Sequence, residues 1–299
     1  MGVTGFYQWL QKKKYVPKEI KILETDSLLV DTKLLIHKIA YNVDSSTNDL
    51  AQAIFDQIKE YFHIYKSVTF VNDGNITTSI LKMKTRAKRA ESKKKREEKA
   101  IYQENLLTDF VKKRKLMDED ETISFHNDAL ENQIRSSIEK CKRQKRDITT
   151  DLTVDILVKL KEYGYKTLQC SGEADGSLVK LASQYNYVIS EDSDLLICGV
   201  NNMVRFFGTQ NLLYYNVCEF LNRTPSQLIS IAALSGCDYT DGLFKVGPVK
   251  AEKLILKFKT LDEFLKSKEF FSLLKPEQDA TFVTTEILGT VALFESYLK

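Results

Sequence analysis

Tyr187-Val188-Ile189-Ser190-Glu191-Asp192-Ser193-Asp194-Leu195-Leu196 sets an apolar run directly against two carboxylates two residues apart. A short apolar run ending in acids predicts a buried strand that delivers charge at its carboxyl end, where open α/β sheets hold ligands. Two acids so close favour a cation, although Asp192 in that position also suits the cap of a following helix. The pattern recurs along the chain. Leu28-Leu29-Val30 ends in Asp31, and Val68-Thr69-Phe70-Val71-Asn72 ends in Asp73-Gly74. Ser171-Gly172-Glu173-Ala174-Asp175 follows the run Tyr165 to Cys170 and opens a helix expected over Ser177 to Ser183, with Ser171 as its cap. Leu234-Ser235-Gly236-Cys237-Asp238-Tyr239 closes a helix that Thr224 and Pro225 start in the favoured Ncap and N1 arrangement. Each acid alone serves a turn or cap more readily than a ligand; together, Asp31, Asp73, Glu173, Asp175, Asp192, Asp194 and Asp238 point to one acidic pocket.

Crowded carboxylates repel one another and stay ionised only with cations among them. Oxygen ligands with no paired His or Cys select Mg²⁺ or Mn²⁺ over zinc. Two such ions about 3.5–4 Å apart can ionise a water on one side of a phosphate and stabilise the leaving oxygen on the other, with no protein nucleophile.

Around these ends the chain alternates. Strands are expected over Leu28 to Thr32, Ser67 to Asn72, Tyr165 to Gln169 and Tyr187 to Ser190, with helices near Asp49 to Tyr65, Thr153 to Tyr163 and Ser177 to Ser183. Met203 to Phe206 and Leu212 to Tyr215 suggest a hairpin at the sheet edge. The expected fold class is α/β, a mostly parallel central sheet with helices on both faces. At 299 residues, 43% hydrophobic and 28% charged, the chain can bury a full core. No apolar stretch approaches a membrane span, no secretory signal is evident, and Phe6 stands where a myristoylation motif needs Ser or Thr. The five cysteines are odd in number, widely spaced and lack C-x-x-C, so neither a disulfide framework nor zinc is indicated. An intracellular protein without membrane or small-molecule cofactor is expected.

Net charge is only +3, but its distribution is uneven. Residues 81–99 read LKMKTRAKRAESKKKREEK, followed by Lys112-Lys113-Arg114-Lys115 and Lys142-Arg143-Gln144-Lys145-Arg146. Such a segment can be a solvated helix held by i,i+4 pairs such as Glu91 with Lys95. Its excess of cations equally suits phosphates, each neutralised charge contributing through counterion release. Lying between Asp73 and Glu173, it is expected to form an arch or lid. Downstream, Asp241-Gly242-Leu243-Phe244-Lys245-Val246-Gly247-Pro248-Val249-Lys250 is a Gly-containing turn between two helices, with Lys245, Lys250 and Lys253 near a helix N-terminus that can face a phosphate. An ordinary helical hairpin is the alternative.

These residues resemble the flap endonuclease family of structure-specific 5′ nucleases, which includes exonuclease 1 and the xeroderma G-type nuclease. The resemblance is carried by Met1-Gly2-Val3-Thr4-Gly5-Phe6, Val30-Asp31-Thr32, Asn72-Asp73-Gly74, Gly172-Glu173-Ala174-Asp175, Glu191-Asp192-Ser193-Asp194-Leu195-Leu196, Gly236-Cys237-Asp238-Tyr239 and Val246-Gly247-Pro248, in the family's order across nearly the whole chain. It implies a PIN-like nuclease domain over 1–299: an N-terminal nuclease region 1–74, a basic helical arch 75–150, an internal nuclease region 151–235 and a helix-two-turn-helix 236–299.

The resemblance also implies roles. Asp31, Asp73, Glu173 and Asp175 would surround one Mg²⁺, and Asp192, Asp194 and Asp238 a second. Lys82 and Arg89 best match the arch residues that steer the scissile phosphate, with Lys84 and Arg86 as competing assignments. Gly2, Gly242, Lys245, Gly247, Lys250 and Lys253 would contact DNA, and the hairpin would hold a K⁺ ion, although Lys245 replaces the Gly usual there. His37 stands where flap endonucleases place a stacking Tyr; exonuclease 1 has a similar D-T-x-x-x-x-H-K run, so the chain leans to that branch and to 5′→3′ exonuclease activity. Gly176 departs from the larger residue the family tends to place after Asp175, and Asn72 from the aromatic common before Asp-Gly. The implied substrate is DNA with recessed 5′ ends, nicks, gaps or flaps, met by a monomer, in the nucleus of a eukaryote or at a viral replication site. The chain ends at Lys299 without a recognisable sliding-clamp peptide, as expected of a shortened or minimal, viral-type member.

Overall fold

The structure is a computed structural model that describes residues 2–44, 47–74, 83–114, 121–145, 148–205, 207–209 and 211–299. Its centre is a seven-stranded sheet in the order β1-β7-β6-β5-β2-β3-β4. The strands are β1 (Lys18–Ile20), β2 (Ser27–Asp31), β3 (Ser67–Asn72), β4 (Lys166–Gln169), β5 (Tyr187–Ile189), β6 (Met203–Arg205) and β7 (Leu212–Tyr215). The five from β6 to β4 are mutually parallel, while β7 runs antiparallel to both β6 and β1. From β2 the chain proceeds outward to β3 and β4, then returns to lay β5 and β6 on the other side of β2. That reversal is a topological switch point, and ligands bind such sheets beyond the carboxyl ends of the strands there.

Three expectations need correction. The hairpin of β6 and β7 forms, but it is not the edge: β1 covers β7, pairing Lys18 with Tyr214 and Ile20 with Leu212. β1 has no apolar run to announce it, because its residues are exposed or half-exposed. The helix expected over Ser177 to Ser183 begins three residues earlier, as α7 (Ala174–Leu181) followed by a 3₁₀ turn at Ala182–Gln184. Ser171 does not cap it; Glu173 is the N-cap residue, without a side-chain cap bond of its own.

Alternation along β2 decides which face each side chain meets. Leu29 joins a buried cluster with Val71, Val188 and Met203, beside Leu178 of α7 and Leu195 of α8 (Ser193–Ile197). Leu28, Val30 and Phe70 point the other way, where Phe70 meets Phe62 and Tyr165 edge-on at 5.3 Å each. Each fully buried aliphatic of this kind contributes roughly 1.5–3 kcal/mol. Asp31 shares the face of Leu29, two residues away. The sheet therefore aims this acid towards α7 and α8.

The chain divides into two compact units. The first comprises Met1–Leu35, Lys59–Thr85 and Leu160–Lys299, and holds the whole sheet. It also contains α1 (Phe6–Lys12), α9 (Val217–Leu221), α10 (Pro225–Ser235), α11 (Pro248–Phe258), α12 (Leu261–Leu265), α13 (Lys268–Ser272) and α14 (Ala280–Leu298). The start of α10 is as the sequence predicts: Thr224 and Gln227 form a reciprocal capping box ahead of Pro225. The second unit comprises Ile36–Ile58 and Arg86–Lys159. It contains most of α2 (Thr32–Ala40), α3 (Leu50–Phe62), α4 (Met83–Arg114) and α6 (Thr150–Glu162), with all of α5 (Glu121–Lys145). In it α4 and α5 pack through Ala100, Ile134, Ile138 and Cys141, and Gln103 Nε2 donates to Ser137 Oγ at 2.8 Å. The Glu91–Lys95 pair read from the sequence forms at 2.7 Å.

Candidate active site and nucleic-acid interface

Asp31 ends β2 at 4% exposure. Its Oδ1 accepts from the Leu34 N–H at 3.2 Å, and its Oδ2 from Ser190 Oγ at 2.9 Å, just beyond β5. Burial pushes its pKa up to about 7, and the charges of Asp192 and Asp73 add to the rise against those two hydrogen bonds. Asp73, directly after β3, accepts the Ala174 N–H at 2.8 Å and forms an ion pair with Lys33 at 2.6 Å. It thus supplies the cap that Ser171 was expected to give, from the far side of the basic insertion. Asp192 is both a site candidate and a helix cap: its Oδ1 accepts the Asp194 N–H at 3.1 Å.

The other acids lie within electrostatic reach of the same region. Asp194 is 3% exposed in the first turn of α8. Its charge, with those of Asp175 and Asp192, helps burial to hold the Cys198 thiol up. Burial pushes Cys237 up to about 12, with Asp194 and Asp238 adding to the rise. Glu173 Oε2 accepts the Tyr239 hydroxyl at 2.6 Å. The Asp238 carbonyl accepts from Thr85 Oγ1 at 2.7 Å, which fastens the first turn of α4. Gly2 approaches so closely, at φ 94°, that a Cβ there would overlap Ser193 Oγ and lie 2.5 Å from Asp192 Oδ1. The neighbouring Val3 N–H donates to Ser193 Oγ at 2.9 Å.

Among the described residues, no three acidic, histidine or cysteine side chains converge tightly enough to hold an ion as they stand. The donor set nevertheless fits a hard divalent cation. It consists of carboxylates, and Asp31, one of its buried members, is driven towards the neutral form by burial and anionic neighbours, a cost that a cation offsets.

The hairpin between α10 and α11 is tight. Gly242, at φ 68°, leaves no room for a Cβ against the Gly236 nitrogen, and the Leu243 N–H returns to the Leu234 carbonyl at 2.9 Å. Gly247 is the N-cap of α11 without a side-chain cap bond. Lys245, Lys250 and Lys253 are exposed around it, and Lys245 itself has a left-handed backbone at φ 56°. The sequence reading missed two neighbours: Phe244, 45% exposed, carries Lys245 Nζ at 5.0 Å and Lys275 Nζ at 4.9 Å from its ring centroid. Lys275 lies outside any motif. It also missed Lys33 against Asp73, and the pairing of Tyr239 with Glu173, although Tyr239 adjoins Asp238 in a motif it quoted.

In the second unit, Arg89 is exposed on α4 and His37 is half-buried on α2. Lys82 lies outside the described residues, and for Lys84 and Arg86 the description stops at the helical backbone. Tyr41, Arg96, Ser136, Lys140 and Arg143 line a cleft of about 420 Å³. The last three fall at i, i+4 and i+7, one face of α5. Among the described residues, no helix is long and apolar enough to cross a membrane.

A family profile described as the XPG I-region matches residues 164–238, which span β4, α7, β5 and the acids from Glu173 to Asp238. Exodeoxyribonuclease 1 of Saccharomyces cerevisiae is 33% identical over 139 residues, 40% of this chain. The chain thus carries the XPG I-region and is similar to nucleases of the flap endonuclease and XPG family. Flap endonuclease 1 of Entamoeba dispar is 23% identical over 285 residues, 89% of this chain and 70% of that protein. The chain spans only 19% of the length of the yeast relative. The catalytic core of Rad2 in complex with a DNA substrate superposes with a TM-score of 0.62 at 17% identity, covering 100% of this chain and 86% of that one, and shows the shared PIN-like nuclease fold.

Proposed function

We propose that this protein is a divalent-ion-dependent, structure-specific 5′ nuclease that hydrolyses DNA phosphodiesters at recessed 5′ ends, nicks, gaps or flaps, leaving 5′-phosphate and 3′-hydroxyl ends. The observation that carries the reading is the meeting of Asp31, Asp73 and Asp192 at the switch point of the sheet, close enough for the two neighbours to raise the Asp31 carboxyl. Asp31, Asp73, Glu173 and Asp175 would hold one Mg²⁺ or Mn²⁺, and Asp192, Asp194 and Asp238 a second. When bound, such ions supply Lewis acidity to an attacking water and a departing oxygen. Gly2 lets the amino-terminal chain lie against Asp192 and Asp194 without displacing them.

The remaining residues bind and orient. Gly242, Lys245, Gly247, Lys250 and Lys253 would seat duplex backbone, with a K⁺ ion at main-chain carbonyls of that hairpin. Region 75–150 would guide the 5′ strand, with Lys82 and Arg89 offsetting charge on the scissile phosphate. The cationic cleft of Arg96, Lys140 and Arg143 supports phosphate binding there. His37 would stack on the terminal base, as in the exonuclease 1 branch. A non-catalytic DNA clamp is the competing reading, favoured by the Lys33–Asp73 ion pair, which engages one of the carboxylates.

Asp192→Ala decides between them. Mg²⁺-dependent cleavage should be lost while duplex binding stays within about tenfold, roughly 1.4 kcal/mol. A parent protein that binds flapped duplex but never cuts it with Mg²⁺ is the clamp. With 5′-labelled substrates, mononucleotide release from a recessed duplex marks the exonuclease 1 type, and one oligonucleotide from a flap marks the endonuclease type.

A further inference from the structure

Glu173 is held by two phenols. Tyr239 donates its hydroxyl to Glu173 Oε2 at 2.6 Å. Tyr297, near the carboxyl end of α14, places its hydroxyl 3.4 Å from the same oxygen and 3.5 Å from the Tyr239 hydroxyl. Phe294, one turn earlier on α14, meets both rings edge-on, at 5.1 Å from Tyr239 and 6.0 Å from Tyr297. Tyr239 is 1% exposed and Phe294 fully enclosed, so these rings have little freedom to turn.

The seat of Tyr297 is made by Gly176, in the first turn of α7. A Cβ at that position would lie 2.9 Å from Tyr297 Cδ1, so the ring and any larger residue compete for one space. Here the chain's departure from the family's larger residue has a physical counterpart: Gly176 is small where Tyr297 reaches Glu173. A hydroxyl donated to one carboxylate oxygen fixes the side-chain rotamer, which preorganises an ion ligand.

Resting on the reading of Glu173 as an ion-holding carboxylate, we propose that Tyr239 and Tyr297 are positioning residues that orient Glu173 for divalent-ion binding, which makes the carboxyl-terminal helix part of the active site. Neither phenol needs to touch DNA. Both act through Glu173.

The test uses the full chain and the variants Tyr297→Phe, Tyr239→Phe and Gly176→Ala. Mn²⁺ binding is measured calorimetrically without DNA, Mg²⁺ half-saturation by cleavage, and melting temperature for each protein. Loss of a partner that orients a ligand costs about 10–100-fold in ion affinity, so Tyr239→Phe should fall in that range and Tyr297→Phe, with the longer contact, near its lower end. Turnover at saturating ion should return to about the parental rate, because the hydroxyls set affinity and not chemistry. Gly176→Ala should match Tyr297→Phe and add nothing in a Tyr297→Ala background. Lower melting temperatures with parental ion half-saturation in both Phe variants would overturn the proposal and leave the nuclease reading standing. A parent that neither binds Mn²⁺ nor cleaves overturns both.

Discussion

Asp31 makes the ion-free protein pH-sensitive in a calculable way. Its carboxyl rises from 3.8 to about 7 in the folded state, which corresponds to about 4 kcal/mol at about 1.36 kcal/mol per decade. The folded form holds this proton more tightly than the unfolded chain, so rising pH favours unfolding. The stability is fully present below pH 3.8 and is lost progressively as pH rises through about 7. About half of the 4 kcal/mol, roughly 2 kcal/mol, is therefore lost between pH 5.5 and 8.5. Asp31→Asn removes the titration and keeps an acceptor for the Leu34 N–H. Urea unfolding of both proteins in chelator, at those two pH values, should show a fall in the parent that is smaller by about 2 kcal/mol in the variant. Excess Mg²⁺ at pH 8.5 should raise parental stability and act less on Asp31→Asn. An equal pH-dependent fall in the two proteins would refute the reasoning, because Asp31 would then not be the buried acid that crowding destabilises.

Other outcomes follow from separate contacts. Lys82→Ala and Arg89→Ala should lower turnover with milder loss of DNA binding; parental cutting rates in both would remove the arch assignment. Phe244→Ala should weaken duplex binding, and Lys275→Ala should reduce the salt slope of binding by about 1, as expected for one lost phosphate contact. Glu252, 3% exposed, pairs with Lys13 at 2.6 Å and Arg223 at 3.3 Å. Glu252→Ala removes the shared partner of those two partly exposed cations, and denaturant unfolding should show a loss of about 1–3 kcal/mol. Thr224→Ala removes half of the capping box and should cost about 1 kcal/mol in the same assay.

What the sequence showed was local, and what it concealed was not. Apolar runs ending in Asp31, Asp73 and Asp192 announced three neighbouring parallel strands, and Thr224 with Pro225 announced α10, because each signal lies within a few residues of its effect. β1 gave no signal, since Lys18, Glu19 and Ile20 pair at an exposed edge where nothing requires an apolar pattern. The start of α7 was misplaced because its cap comes from Asp73, 101 residues away. Lys33, Tyr297 and Lys275 escaped notice for the same reason: each matters through a partner distant in sequence. Gly176 was noticed as an oddity, and only the ring of Tyr297 explains it.

The bond from Asp73 to the Ala174 N–H also bears on how freely the intervening sequence can vary. β3 and β4 pair side by side, so the ends of everything between them are pinned by the sheet, by that contact and by the Gly74 N–H donated to the Gly172 carbonyl at 2.7 Å. Closing a loop grows costlier only logarithmically with length, about 0.6 kcal/mol per doubling. Shortening or doubling the stretch between the pinned ends should therefore barely alter the stability of the first unit. Insertions and deletions can accumulate in that segment while the acids keep their positions.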